Sequence, residues 1–318
     1  MTNFNHEVPI FFSVDDHYSP YLAVAINSLI QNSDPKRHYH IIVLCDDLSH
    51  DNQLKLQTLT KDNIKLEFVS INEQIKQQIT DKNNKLRADY FTYTIYFRLF
   101  IAELFPQFKK AIYLDADTVV NQDIATLFDL PLGDNWIGAA VDRFITENPE
   151  TFNYAEQAIG VAGNKYVNSG VLLMDLQALR EYRFADHFFK LLNQYHFRSL
   201  APDQDYLNAI AKNKILYLDP TWNVMTTFPE ETPAALIHWN LFNKPWNYQD
   251  APRQKYFWKY AKDTPYYDQL LHQLQNVNTK IIQQDEQNAA ELMNLAVTIA
   301  KTENTFRNRA EQGVQIAL

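Results

Sequence analysis

The sequence predicts an α/β fold with a mainly parallel central sheet and a helical C-terminal tail, on three observations. Strand-length apolar runs alternate with helix-length amphipathic runs through the first half of the chain, the pattern of strands joined by crossover helices. Those apolar runs end on polar residues, carboxylates at Asp15, Asp46, Asp115 and Asp142 among them. From about residue 263 the composition shifts to Gln, Asn and Lys with widely spaced apolar positions.

The apolar run Val8 to Val14 reads as a buried strand. Ser19-Pro20 then reads as a helix N-cap followed by proline at the first helical position. It opens a helix through Asn32 with Leu22, Ala25, Ile26 and Leu29 on one face. Tyr39 to Cys45 is a second strand, Ser49 can cap a helix through Thr60, and Ile64 to Val69 alternates as a third strand. A helix over Tyr93 to Leu104 leads into the strand Ala111 to Leu114. Trp136 to Val141 and Gly170 to Asp175 are further strands, Asp203 to Ala211 is helical, and Ile215 to Leu218 is extended. In the tail, Leu292, Leu295, Ile299 and Phe306 fall on one helical stripe.

The balance of 38 acidic against 29 basic residues, a formal net charge of −9, offers no general basic surface, so nucleic acid is not an expected partner. Hydrophobic and aromatic fractions of 46% and 14% argue for a packed core and against disorder. Cys45, the one cysteine, can form no intrachain disulfide and reads as a small core residue. The polar stretch Met1 to Glu7 lacks the features of a signal peptide, and no run approaches the roughly 18 apolar residues of a membrane span. A cytoplasmic protein with no transmembrane anchor is therefore expected.

The sharpest local signal is Ala111-Ile-Tyr-Leu-Asp115-Ala116-Asp117, an apolar strand that delivers two carboxylates one residue apart. In open α/β sheets ligands collect outside the carboxyl ends of the strands. Two hard oxygen ligands there suit Mg²⁺ or Mn²⁺ and leave coordination positions for a diphosphate and water. The same pattern resembles the nucleophile motif of haloacid-dehalogenase-like phosphatases. In those proteins the attacking Asp usually lies near the domain's N-terminus, whereas 114 residues precede Asp115.

Other motifs follow in chain order. They are Ile10-Phe-Phe-Ser13-Val14-Asp15-Asp16-His17-Tyr18, Tyr96-Phe97-Arg98-Leu99, Asn168-Ser169-Gly170-Val171, Asp203-Gln204-Asp205, and His238 ahead of Lys244-Pro245-Trp246. Together they resemble the retaining glycosyltransferases of family 8, the group of bacterial lipooligosaccharide galactosyltransferases and glycogenins, from Val8 to about Trp246. The resemblance implies a single Rossmann-like domain of GT-A type, here residues 1–262 with 263–318 as a helical extension. It also implies a UDP-sugar donor, UDP-glucose or UDP-galactose, with Mn²⁺ or Mg²⁺ as cofactor.

By the same resemblance, Asp115, Asp117 and His238 hold the metal, with Ala116 between the carboxylates. Ser13, Val14, Asp15, His17 and Tyr18 form the uridine-binding turn, Asp15 binding the base and Tyr18 stacking on it. Arg98 reaches the donor sugar or positions neighbouring carboxylates, Asn168 and Asp203 bind sugar hydroxyls, and Asp142 contacts sugar or acceptor. Gln204 lies beneath the anomeric carbon, where its neutral amide is a poor nucleophile, and Lys244 meets the diphosphate. Asp205 also suits the acidic first turn of its helix. Family members often carry glycine between the histidine and the lysine, but here that loop reads Trp239-Asn240-Leu241-Phe242-Asn243.

The expected activity is metal-dependent, retaining hexosyl transfer onto a bacterial glycan, glycolipid or glycoprotein. The alternatives are a non-catalytic nucleotide-sugar-binding relative and a metal-dependent phosphatase. The apolar stripe of the tail is expected to pack on the catalytic domain, with homo-oligomer formation through the C-terminal helices as the second reading.

Overall fold

The computed structural model describes residues 7–71, 94–276 and 279–318. A seven-stranded sheet runs in the order β3-β2-β1-β4-β7-β6-β8. Its strands are β1 (Glu7–Val14), β2 (His38–Cys45), β3 (Ile64–Ser70), β4 (Lys110–Leu114), β6 (Ile137–Ala139), β7 (Val171–Asp175) and β8 (Ile215–Tyr217). β1 pairs in parallel with β2 and β4, as do β2 with β3 and β6 with β8, while β7 is antiparallel to both β4 and β6. The predicted mainly parallel sheet is present, with β7 as its antiparallel member.

Successive residues of a strand face opposite sides of the sheet. Ile10, Phe12 and Val14 accordingly join one apolar cluster with Ile112 and Leu114, while Phe11 joins the other with Tyr113 and Leu172. Burial on both faces is why the central strands read as unbroken apolar runs. Cys45 is buried at the end of β2.

The second sheet, β5 (Thr118–Val120), β10 (Leu236–His238) and β9 (Val224–Met225), has three strands of two or three residues each. β5 begins one residue after Asp117. Its antiparallel register sets His238 opposite Thr118, and Trp239 N donates to Asp117 O at 3.0 Å. This small sheet carries the histidine back to the carboxylates.

Three local expectations differ in detail. Ser19 is not the N-cap: the 3₁₀ turn Asp16–Tyr18 runs straight into the helix Ser19–Asn32, with Tyr18 at the cap position and Ser19 Oγ donating to Asp16 O at 2.8 Å. The helix capped by Ser49 spans His50–Gln57 and closes toward Thr60 in tighter turns, Thr58, Leu59 and Thr60 N each donating three residues back. The helix expected over Tyr93 to Leu104 is Thr94–Phe97 and Ile101–Leu104, interrupted by the 3₁₀ turn Arg98–Phe100; Tyr93 lies outside the described residues.

The tail folds as helices Tyr267–Gln275, Thr279–Ile299 and Phe306–Glu311. Leu292, Ile299 and Phe306 are buried in the apolar cluster that also holds Tyr113 and Leu172, with Leu295 packed at its edge, although Phe306 sits on a separate helix from the others. The helix Thr279–Ile299 lies against the helix Pro149–Tyr154. The stripe thus packs on the rest of the chain as expected. Among the described residues no helix is long and apolar enough to cross a membrane.

Candidate active site

The polar ends of β1, β4 and β10 open into one cavity of about 340 Å³. Ser13, Val14, Asp15, Tyr18, Arg98, Asp115, Ala116, Asp117, Asp142, Asn168, Asp203, Gln204, His238 and Lys244 all line it. These residues span 232 positions of sequence, from 13 to 244, and the fold brings them together. Of the residues assigned to the nucleotide-binding turn, His17 is exposed and does not line the cavity, because the 3₁₀ turn carries it outward. Asp46, at the end of β2, also lies away from the lining.

At the mouth of β1, Asp15 caps the 3₁₀ turn, its side chain accepting from Tyr18 N at 3.2 Å. Tyr18 meets Tyr21 edge-to-face at 5.3 Å, and Tyr21 stacks on Trp246 at 3.8 Å. The turn after β1 is thereby tied to the Lys244-Pro245-Trp246 segment. Burial, reinforced by the charge of Asp117, pushes the Tyr18 phenol well above its ordinary range.

Arg98 is buried and fully engaged. Nη2 donates to Asp115 Oδ1 at 2.9 Å, Nη1 to Ser169 O at 2.8 Å, and Nε lies 3.2 Å from Asp203 Oδ2. The guanidinium also sits over the Tyr113 ring, 4.4 Å from its centroid. Burial alone would lower its pKa, but the carboxylates of Asp115 and Asp203 raise it, so this cation is permanent.

A chain of hydrogen bonds then sets the histidine. Asp142 Oδ2 accepts from both Asn168 Nδ2 and Gln204 Nε2 at 3.0 Å. Asn168 Oδ1 accepts from Gly170 N at 2.9 Å and from Asn223 Nδ2 at 3.0 Å. With its amide nitrogen committed, Asn223 turns its Oδ1 to His238 Nδ1, 3.0 Å away. Nδ1 is therefore the protonated nitrogen of the neutral ring, and Nε2 presents its lone pair to the carboxylates. Asn223 was not foreseen: a lone Asn before a two-residue strand carries no signal.

His238 Nε2 lies 3.2 Å from Asp117 Oδ1 and 3.7 Å from Asp115 Oδ2, and the donor atoms of these three residues fall within 4.8 Å of one another. Asp117 Oδ1 is buried and makes no hydrogen bond. Gly170 presses against the same spot: a Cβ on it would come within 2.3 Å of His238 Cε1 and 2.5 Å of Asp115 Oδ2. Two carboxylates, one imidazole lone pair and an uncompensated buried oxygen fit a divalent cation such as Mn²⁺ or Mg²⁺.

Lys244 Nζ donates to Asp117 Oδ2 at 2.5 Å and also to Trp239 O. Burial would push the Asp117 carboxyl up, but the Lys244 ammonium beside it holds it well below the usual carboxylate range. The loop lacking glycine keeps two left-handed residues all the same, Leu241 (φ 64°) and Asn243 (φ 57°).

The family model for glycosyl transferase family 8 matches residues 9–250. The chain belongs to this family. A putative glycosyltransferase of Haemophilus influenzae is 29% identical over 249 residues, 75% of this chain and 72% of that protein. The lipopolysaccharide 1,2-glucosyltransferase of Escherichia coli is 26% identical across 81% of this chain and 79% of that one. Among solved structures, galactosyltransferase LgtC in complex with donor and acceptor sugar analogues superposes with a TM-score of 0.69 at 27% identity, covering 81% of this chain and 96% of that one.

The family 8 chain described here is therefore a glycosyltransferase of GT-A fold. The phosphatase alternative falls with that assignment. Its required nucleophile, Asp115, moreover has Oδ1 held by both Arg98 and Tyr113 OH.

Proposed function

We propose that this glycosyltransferase moves a hexose from UDP-glucose or UDP-galactose to a sugar-bearing acceptor with retention of anomeric configuration, at a divalent cation held by Asp115, Asp117 and His238. The observation that carries this reading is the buried Asp117 Oδ1, without a hydrogen bond, beside the His238 Nε2 lone pair. When bound, the ion supplies Lewis-acid neutralisation of the diphosphate.

The residues supply the rest. Lys244 leaves Asp117 and meets the phosphate charge that develops as the anomeric carbon to phosphate oxygen bond breaks. The acceptor hydroxyl forms the new bond to the same face of that carbon, and its proton passes to the departing phosphate oxygen. Gln204 is held at both ends, Nε2 by Asp142 and Oε1 by Ser169 N at 2.9 Å, so its amide steadies the sugar and offers no carboxylate for a covalent intermediate. Asp15 and Tyr18 receive the uracil ring, while Asn168 and Asp203 hold sugar hydroxyls.

Thermal-shift measurement with UDP tests the reading. At 100 times its Kd, UDP with Mn²⁺ should add about 2.7 kcal/mol of stability. The gain should vanish without the metal and in Asp117→Ala. Equal stabilisation in Asp117→Ala would remove the metal site from the proposal.

A second expectation follows from the Lys244 to Asp117 contact. In the absence of nucleotide the ammonium sits on Asp117 Oδ2, the other oxygen of the carboxylate whose Oδ1 a metal would use, so the two cations compete for one negative charge. Lys244→Met should tighten Mn²⁺ binding several-fold in titrations read by electron paramagnetic resonance, yet weaken UDP binding about tenfold. Weaker Mn²⁺ binding in the variant would show that no competition exists.

A further inference from the structure

The cavity has an apolar lining that the donor-binding residues leave unused. Phe144, Ile145, Leu200, Leu241 and Leu292 all face into it and belong to, or pack against, one apolar cluster. They arrive from four separate segments. Leu292 comes from the C-terminal helix Thr279–Ile299, beyond residues 9–250 matched by the family model.

Two further observations bear on its use. Leu241 holds a left-handed backbone, φ 64°, which strains an L-residue, and it spends that strain placing a leucine at the cavity. Asp142 joins the apolar and polar parts directly: Oδ1 caps the helix Arg143–Glu147 at Ile145 N, while Oδ2 accepts from Asn168 and Gln204. A molecule seated with a hydroxyl near Gln204 therefore has aliphatic surface within the same cavity.

We infer that this lining seats an apolar substituent, alkyl or aryl, carried by the acceptor, and that Leu241 and Leu292 set the preference for it. The inference rests on the reading of the cavity as a hexosyl-transfer site. Removing such a group from water on binding is favourable in proportion to its area, which a methyl group cannot supply.

The test is calorimetric titration of methyl, phenyl and octyl β-D-galactopyranosides, the last below its micellar concentration, into full-length protein saturated with Mn²⁺ and UDP. The octyl or phenyl glycoside should bind at least about tenfold more tightly than the methyl one. Octyl ahead of phenyl identifies an alkyl source, and the reverse an aryl one.

Leu292→Ser should erase the preference. Leu241→Gly, which relieves the left-handed leucine and so keeps the fold, should do the same. Equal binding of all three glycosides, no binding of any, or a preference that survives both substitutions overturns the inference. Failure to bind Mn²⁺ and UDP in the first step overturns the hexosyl-transfer reading along with it, whereas failure at the glycoside step alone overturns only the apolar seat.

Discussion

Gly170→Ala is expected to cut UDP-sugar turnover by about 10³-fold, the scale of losing preorganised stabilisation of a leaving group. Gly170 is not among the residues with positive φ, so alanine can adopt its backbone, and the effect comes from space alone. The added methyl would lie 2.3 Å from His238 Cε1 and 2.5 Å from Asp115 Oδ2. Neither neighbour can yield cheaply. His238 is pinned by Asn223 on its far nitrogen, and Asp115 by Arg98 and Tyr113 on its other oxygen. Overpacking of this kind costs about 1–3 kcal/mol, so the protein should remain folded while the donor set is forced apart.

Mn²⁺ titration is the decisive readout: Gly170→Ala should lose metal binding with little change in its circular dichroism. Gly133→Ala is the control, since Gly133 has φ 58° but a Cβ there would meet nothing within 4 Å, and it reports backbone strain without a clash. Near-normal Mn²⁺ affinity in Gly170→Ala would show that the three donors do not act as one site.

Much of this centre was legible because its motifs are local. A buried strand followed by Asp115-Ala116-Asp117 is written within seven residues, β1, β2 and β7 were readable as apolar runs because both faces of the sheet are covered there, and β3 was readable by its alternation because Ile64 and Leu66 alone are buried. What was illegible is what depends on pairing between distant short segments. The meeting of His238 with Asp117 rests on β5 and β10, three residues each, too short for any period to be read. The helix Ser19–Asn32 was expected to bury one face. It is buried on nearly all sides because it also packs against β5 and the helix Gln254–Ala261, and a sequence does not show how many partners a helix will have. Leu292 looked like a packing residue and is one, but its helix ends up lining the cavity.

Asp205 shows the same limit and leads to the second large effect. Its tripeptide reads as an acidic helix start, yet the carboxylate is fully buried and gathers donors from far along the chain. Tyr154 OH donates at 2.6 Å and Leu200 N at 3.0 Å, joined by Ala201 N and the hydroxyls of Tyr166 and Ser199. Leu200 and Ala201 line the cavity, so this carboxylate also fixes one of its edges. Asp205→Ala strands several buried donors at once and should cost about 4 kcal/mol in urea denaturation. Asp205→Asn should cost only about 1 kcal/mol, because one oxygen remains for the amides and the Tyr166 hydroxyl can turn to accept from the new NH₂.

The two variants also separate charge from hydrogen bonding. Burial raises the Asp205 carboxyl above its ordinary range even though the hydrogen bonds from Ser199, Tyr154, Tyr166 and Ala201 N pull it down. A folded-state pKa above the unfolded one contributes stability that is fully present below the unfolded value and is lost as pH rises through the folded value. The amide introduced by Asp205→Asn has no such proton to gain. The stability gap between wild type and that variant should therefore widen in favour of wild type as pH falls from neutrality toward the ordinary carboxylate range. A gap that narrows on acidification would mean the donors outweigh burial and hold Asp205 as an anion.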